Sequence, residues 1–70
     1  MKDMIVSQTS PAAGKAVANL DLPKGTILIS VIREEGAFIP DGQTQILAGD
    51  SVITLAHQDN MKQLAEYFTG

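Results

Sequence analysis

Cysteine is absent from this 70-residue chain, and histidine occurs once, as His57. Without thiols the chain cannot form a disulfide or a thiolate metal site. A single imidazole likewise excludes a metal site built from several histidines. A domain of this length has a small core, and oligomerisation is the remaining common way of stabilising it. We therefore expect the chain to associate with other copies of itself.

Basic residues are also scarce. Five lysines and arginines stand against eight acids, which gives a formal net charge of −3. Because nucleic-acid binding needs a basic patch that neutralises phosphates, no nucleic acid is expected as a partner. No apolar run approaches the length that spans a membrane, and the first residues lack the apolar core of a signal peptide. The sequence predicts a soluble, cytoplasmic domain.

Short β-branched runs separated by glycine and proline turns predict strands. The expected strands are residues 4–9, 26–34, 37–40, 44–47 and 51–57. The strand at 26–34 carries large apolar groups in both alternating sets, so we expect it to be covered on both sides. The tight turn before the strand at 37–40 predicts a β-hairpin.

Two segments have the spacing of helices. Ser10 and Pro11 are typical of a helix start, and apolar residues continue at helical spacing to about residue 20, although Gly14 weakens this helix. Residues 61–68 carry an i, i+3, i+4, i+7 apolar stripe, with Asp59 or Asn60 as the expected cap. The order of elements predicts one α+β domain over residues 1–70. It has a small, mostly antiparallel β-sheet with helices packed on one face, and its other apolar face needs a partner.

No grouping of residues predicts catalysis or a metal site. Glu34 and Glu35 lie at a hairpin tip, where a solvated turn is the expected role. His57 lies near Asp59, but no serine has the setting of a nucleophile elbow. The glycines are too far apart for a nucleotide-binding fingerprint. Asp50, directly after Gly49, is instead expected to accept hydrogen bonds from nearby backbone N–H groups. We expect that the chain is not an enzyme.

Arg33 is the residue whose role the pattern leaves open. It closes the apolar strand, and strict alternation would place it on the same side as Ile27, Ile29 and Val31. An arginine beside apolar surface can pair in bidentate fashion with a carboxylate or a phosphate, which would make it a ligand contact. Alternatively, it is structural and extends its charge past the sheet edge or bridges to a subunit partner.

An ordered series of short motifs resembles the TrkA C-terminal domain, also called RCK-C. No one of these motifs is specific, but their order and spacing together are, and the resemblance covers the chain from about Met4 to Phe68. The motifs are Gly14-Lys15, Leu20-Asp21-Leu22-Pro23, the strand Ile27 to Arg33, Ile39-Pro40, Gly42-Gln43-Thr44 and Gly49-Asp50.

This resemblance implies a non-catalytic regulatory domain of a potassium or other cation transport system. Such domains have a sheet with helices on one side, form homodimers, and couple a cytosolic ligand to transporter gating. The implied partner is a membrane ion transporter or channel subunit, which would hold the cytoplasmic domain at the periphery of the inner membrane. The alternative is a purely structural dimerisation module, part of a transporter-associated protein, that binds no ligand.

The resemblance also implies a ligand, because some members of the family bind the second messenger cyclic di-AMP at the dimer interface. No resident cofactor is expected. Arg33 would contact the anionic part of the ligand, and apolar residues would form the walls. Two positions depart from the family pattern: Val31 replaces an acid and Phe38 replaces an asparagine, although an aromatic ring can stack on a base. The expected ligand-binding residues are Ile27, Leu28, Ile29, Arg33, Phe38, Ile39, Pro40 and Thr44.

Overall fold

A four-stranded antiparallel sheet with one helix packed against it forms the fold. The structure is a computed structural model and describes residues 2–70. The strands lie in the order β1-β4-β2-β3, and the helix is the last element. The elements are β1 (Lys2–Ile5), β2 (Ile27–Arg33), β3 (Gly36–Phe38), β4 (Ser51–Leu55) and α1 (Met61–Thr69). The expected α+β class is confirmed.

The two strands richest in β-branched residues, β2 and β4, occupy the centre of the sheet. Val31 lies between Val52 of β4 and Phe38 of β3, so one row of side chains crosses three strands. The predicted hairpin between β2 and β3 is confirmed; its turn is Glu34 and Glu35, and Gly36, the first residue of β3, has φ 136°. A glycine adopts this positive φ without the clash that a Cβ would cause.

A β-bulge in β2 changes which side chains share a face. Leu28 lies opposite Thr54, but Ser30, two residues on, lies opposite Ile53, so Ile29 is the extra residue. An extra residue reverses the alternation of side chains beyond it. The expectation that Ile27 shares a face with Arg33 is therefore wrong, because Ile27 now lies on the opposite side of the sheet.

The core lies on the face of the sheet that α1 covers, which we call the inner face. The sheet contributes the buried side chains of Met4, Val31 and Val52. The helix contributes Leu64 and Phe68, which are one turn apart and both fully buried. This i, i+4 pair confirms the amphipathic pattern that predicted the last helix.

The helix predicted to follow Ser10 is not formed. Residues 11–14 form turns, and the only helical residues between β1 and β2 are the 3₁₀ turn Val17–Asn19. Backbone groups of residues 14–18 bond instead to residues 42–46, as in the 2.8 Å bond from the N–H of Val17 to the carbonyl of Thr44. The predicted strand at 44–47 thus pairs only through a single bridge, between Ala16 and Gln45. Long-range pairing has outweighed a weak helix propensity.

The ends of α1 are fixed differently from one another. A 3₁₀ turn, Gln58–Asn60, leads into the helix, and the predicted capping side chain of Asn60 makes no capping hydrogen bond. Near the other end, the hydroxyl of Ser10 donates to the carbonyl of Tyr67 at 2.6 Å. Within residues 2–70 no helix is long and apolar enough to cross a membrane.

Candidate functional site

An ion pair joins the end of β2 to the turn before β4. Nε of Arg33 donates to Oδ1 of Asp50 at 2.8 Å, and Nη2 donates to Oδ2 at 2.9 Å. The side chain of Asp50 is 5% exposed and that of Arg33 is 23% exposed. Two parallel N–H···O bonds fix the plane of the guanidinium as well as its position. Arg33 is therefore held in one orientation at the rim of the inner face.

The turn that carries Asp50 depends on the residue before it. Gly49 has φ 92°, in the left-handed region, and this lets the chain reverse so that the Asp50 N–H donates to the carbonyl of Leu47 at 3.0 Å. The Asp50 carboxylate in turn accepts the Leu47 N–H at 2.9 Å. The expectation that Asp50 binds neighbouring backbone N–H groups is confirmed.

The partnership of Asp50 with Arg33 was not expected from the sequence, although a signal for it existed. Ile32 pairs with Ser51 in the antiparallel ladder, so Arg33 and Asp50, the next residues outward, face each other. Pairing the strands predicted at 26–34 and 51–57 in this register would have identified the contact. The structural interpretation of Arg33 expected a partner in another subunit, but its partner, Asp50, belongs to the same chain.

Charge and burial act in opposite directions on the Asp50 carboxyl. Burial by itself would raise the pKa of Asp50, but hydrogen bonds from Arg33 and from the Leu47 backbone outweigh it and hold that pKa below its ordinary value. The hydrogen bond to Asp50 raises the pKa of Arg33 further above its ordinary range. Both groups are therefore ionised at neutral pH.

An aromatic ring and a carbonyl complete the surroundings of Arg33. The guanidinium carbon lies 5.0 Å from the centre of the Phe38 ring, within the range of a cation–π contact. Nη2 also donates to the carbonyl of Gln45 at 2.6 Å. Its other terminal nitrogen, Nη1, donates to no atom within residues 2–70. Nε and Nη2 are thus the guanidinium nitrogens that fix Arg33 within the chain.

The structure brings only some of the expected ligand-binding residues together. Arg33 and Phe38 are in contact on the inner side. Leu28 is half-buried against the core on this same side. Ile39 follows β3 and is 83% exposed, and Pro40 after it is half-buried.

The remaining expected ligand-binding residues are placed elsewhere or are already hydrogen-bonded. Ile27 is 56% exposed on the opposite side of the sheet, and Ile29 is the bulged residue. The hydroxyl of Thr44 donates to the carboxylate of Asp41 at 3.2 Å and accepts the Asp41 N–H at 3.0 Å, so it closes a local turn. Residues 2–70 of one copy form no pocket and bring together no group of three possible metal-binding side chains.

The chain is thus a small α+β domain with one arginine anchored by an ion pair at the rim of its inner face. The model of the TrkA-C domain matches residues 3–69. The chain belongs to the TrkA-C domain family, which is the family that its motifs resembled.

Curated relatives agree with this assignment. Over 68 residues, 97% of the chain, it is 34% identical to a Trk system potassium uptake protein TrkA homolog of Archaeoglobus fulgidus. Over 61 residues, 87% of the chain, it is 33% identical to the Trk system potassium uptake protein TrkA of Azorhizobium caulinodans. The chain spans only 16% and 13% of the length of these two proteins.

Solved structures with the same fold include two RCK domains. One, described as an RCK domain with cda, superposes with a TM-score of 0.85 at 18% identity and covers 96% of this chain and 94% of that one. The RCK_C domain dimer of S. agalactiae BusR in complex with c-di-AMP superposes with a TM-score of 0.82 at 23% identity, covering 96% and 92%. These similarities establish the fold of the present chain.

Proposed function

We propose that this chain is a regulatory domain of a potassium or other cation transport system that dimerises and binds a cytosolic, phosphate-bearing ligand. Membership of the TrkA-C family and similarity to TrkA proteins support the link to transport. The observation that carries the ligand is the geometry of Arg33. Its guanidinium is fixed by Asp50 and stacked on Phe38, with the N–H groups of Nη1 left to donate. An arginine held in advance loses little side-chain entropy when an anion binds.

Cyclic di-AMP is the ligand we propose, since two proteins of the same fold are described with c-di-AMP or cda. Its phosphates would accept hydrogen bonds from Arg33, and one of its adenines would stack on or beside Phe38. The molecule has two-fold symmetry, so one ligand fits the Arg33 side chains of two copies. Ile39 and Pro40 directly follow Phe38 in the chain and are the next ligand contacts in this proposal. Contacts of the ligand with Ile27, Leu28, Ile29 and Thr44 stay predictions.

Gating would follow from where the ligand binds. A ligand shared by two copies stabilises the arrangement in which both arginines reach it, in proportion to its differential affinity for that arrangement. A membrane transporter or channel subunit that contacts the domain would respond to the change in arrangement. In this proposal the domain acts in the cytoplasm, reaches the membrane through its partner and catalyses no reaction.

Calorimetric titration with cyclic di-AMP tests the ligand. We expect saturable binding by the unmodified chain and at least about 10-fold weaker binding by Arg33→Lys, because lysine keeps the positive charge but lacks the planar guanidinium and its parallel N–H donors. Lys62→Met removes one positive charge from an exposed site on α1 and should bind as the unmodified chain does. Absence of binding by the folded, unmodified chain at millimolar ligand would refute the proposal.

The second candidate function is a structural dimerisation module that binds no ligand. The observation in its favour is that two of the three guanidinium nitrogens of Arg33 are already bonded within the chain. On this alternative, Arg33→Lys would lower the free energy of unfolding and leave every ligand titration flat. The same two variants therefore separate the two functions.

A further inference from the structure

The C-terminal end of α1 is held by residues 6–10, which follow β1 and which we call the capping segment. The N–H of Ser7 donates to the carbonyl of Phe68 at 2.9 Å. The hydroxyl of Ser10, a buried side chain, donates to the carbonyl of Tyr67 at 2.6 Å. The last carbonyls of an α-helix have no partner within the helix, so these donors supply bonds that the helix cannot make itself.

The capping segment is also bonded to the turn that carries Asp50. The N–H of Val6 donates to the carbonyl of Asp50 at 2.9 Å, and the N–H of Gly49 donates to the carbonyl of Val6 at 2.7 Å. The carboxylate of Asp50 is in turn held by Arg33. A series of hydrogen bonds therefore leads from the guanidinium of Arg33, through Asp50 and the capping segment, to the end of α1.

We propose that the ion pair of Arg33 and Asp50 and the C-terminal turn of α1 form one cooperative unit, which transmits the binding of an anion at Arg33 to the end of the helix. The transmission rests on the proposed function, because it needs the ligand, whereas the cooperativity of the two parts does not. The element that both parts bias is the capping segment, which is bonded to both or released from both. Such a shared two-state element is what couples separate sites physically.

The chain geometry explains why the two parts favour each other. Val6 bonds to the turn and Ser7 bonds to the helix, and the peptide unit between these two neighbours is planar and rigid. Loss of the bond at one of them therefore loosens the position of the other. The ion pair fixes the Asp50 side chain and with it the turn that binds Val6, so it also favours the bond between Ser7 and Phe68.

An anion on Arg33 should strengthen this unit. In the proposed function the anion accepts hydrogen bonds from Nη1, which leaves the bonds of Nε and Nη2 to Asp50 in place. A guanidinium held on both sides loses its alternative rotamers, and the pair with Asp50 is then formed for a larger fraction of the time. Coupling of binding equilibria is reciprocal, so release of the end of α1 should weaken the binding of the anion.

A double-mutant cycle tests the cooperativity without any ligand. Asp50→Asn keeps the shape of the side chain and removes its charge, and Ser10→Ala removes the bond to the carbonyl of Tyr67. Asp50 and Ser10 share no hydrogen-bond partner within residues 2–70, and the effects of separate sites on unfolding are normally additive. In urea unfolding, we expect the double variant to have an unfolding equilibrium constant at least about 3-fold smaller than additivity gives.

Thr69→Ala is the matched control for Ser10→Ala. The Thr69 hydroxyl also donates to a carbonyl of α1, but to that of Ala65 within the helix itself. Its cycle with Asp50→Asn should be additive to within about 2-fold. If a double variant is unfolded in buffer, all the proteins are compared in sucrose, which stabilises compact states. Additivity in the cycle with Ser10→Ala would overturn the inference, as would an equal departure in the cycle with Thr69→Ala.

Calorimetric titration with cyclic di-AMP tests the transmission. Ser10 is not among the proposed ligand contacts, yet Ser10→Ala should bind at least about 3-fold more weakly than the unmodified chain, because it releases the end of α1. Thr69→Ala should bind as the unmodified chain does. Equal binding by Ser10→Ala would overturn the transmission. Absence of binding by the folded, unmodified chain would refute the proposed function, and the double-mutant cycle would still decide whether the two parts are cooperative.

Discussion

Replacing Arg33 with methionine probes the ion pair at the rim of the inner face. Methionine keeps an unbranched stem that can still pack against Phe38, but it removes the bonds from Nε and Nη2 to Asp50 and from Nη2 to Gln45. The Asp50 carboxylate, which is 5% exposed in the intact pair, would keep one backbone hydrogen bond, from Leu47. The substitution therefore leaves a nearly buried carboxylate without its counter-charge.

The magnitude follows from how much water can replace the arginine. Removing one partner of a fully buried pair costs about 3–5 kcal/mol, whereas an exposed pair is worth about 1 kcal/mol or less. Because the Arg33 side chain is 23% exposed, water reaches part of the site, and we expect a loss of about 2 kcal/mol. A domain of this size has a total stability of about 4–10 kcal/mol, so the melting temperature should fall by about 8–16 °C.

Urea unfolding followed by circular dichroism measures this loss. Lys62→Met also replaces a basic residue with methionine and removes one positive charge, at an exposed position of α1, and it should alter the free energy of unfolding by less than about 0.5 kcal/mol. A double-mutant cycle with Asp50→Asn should give a coupling energy of about 1 kcal/mol or more. If Arg33→Met costs no more than Lys62→Met, the pair does not stabilise the fold and the reasoning above is wrong.

Two further predictions concern the turn before β4. The pKa of Asp50 is lower in the folded chain than in the unfolded one, so its contribution to stability is present above about pH 4 and is lost as the pH falls through the folded pKa. Asp50→Asn should therefore reduce the loss of stability at acid pH. An unchanged pH dependence in this variant would contradict the direction of the pKa shift. Gly49→Ala should cost about 1–2 kcal/mol because of its φ of 92° alone, since a Cβ there meets no atom within 4 Å. Gly42→Ala is the control and should be nearly neutral in the same urea assay, because its Cβ would meet Ala18 at an ordinary 3.5 Å. Equal costs for the two variants would show that φ is not the cause.

The sequence predicted the elements whose signal is local and strong. β2 and β4 are dense in β-branched residues, and α1 has a regular apolar stripe, so their existence and order were all predictable. The segment after Ser10 had only a narrow stripe interrupted by Gly14. Its backbone bonds to residues 42–46, which lie far away in the sequence. A helix prediction uses only neighbouring residues and cannot detect a hydrogen-bonding partner that is distant in the sequence, so the prediction was wrong there.

The candidate site was predictable as residue types but not as a set on one surface. Arg33 was singled out by its place at the end of the strand and Phe38 by the family resemblance, and the two side chains are in contact. Ile27 was grouped with Arg33 by strict alternation, and a single bulged residue, Ile29, moved it to the other side. A bulge in a run of isoleucine and leucine changes no residue type, so the sequence carries no sign of it. The same bulge places Ile27 opposite Leu55, on the face of the sheet away from α1.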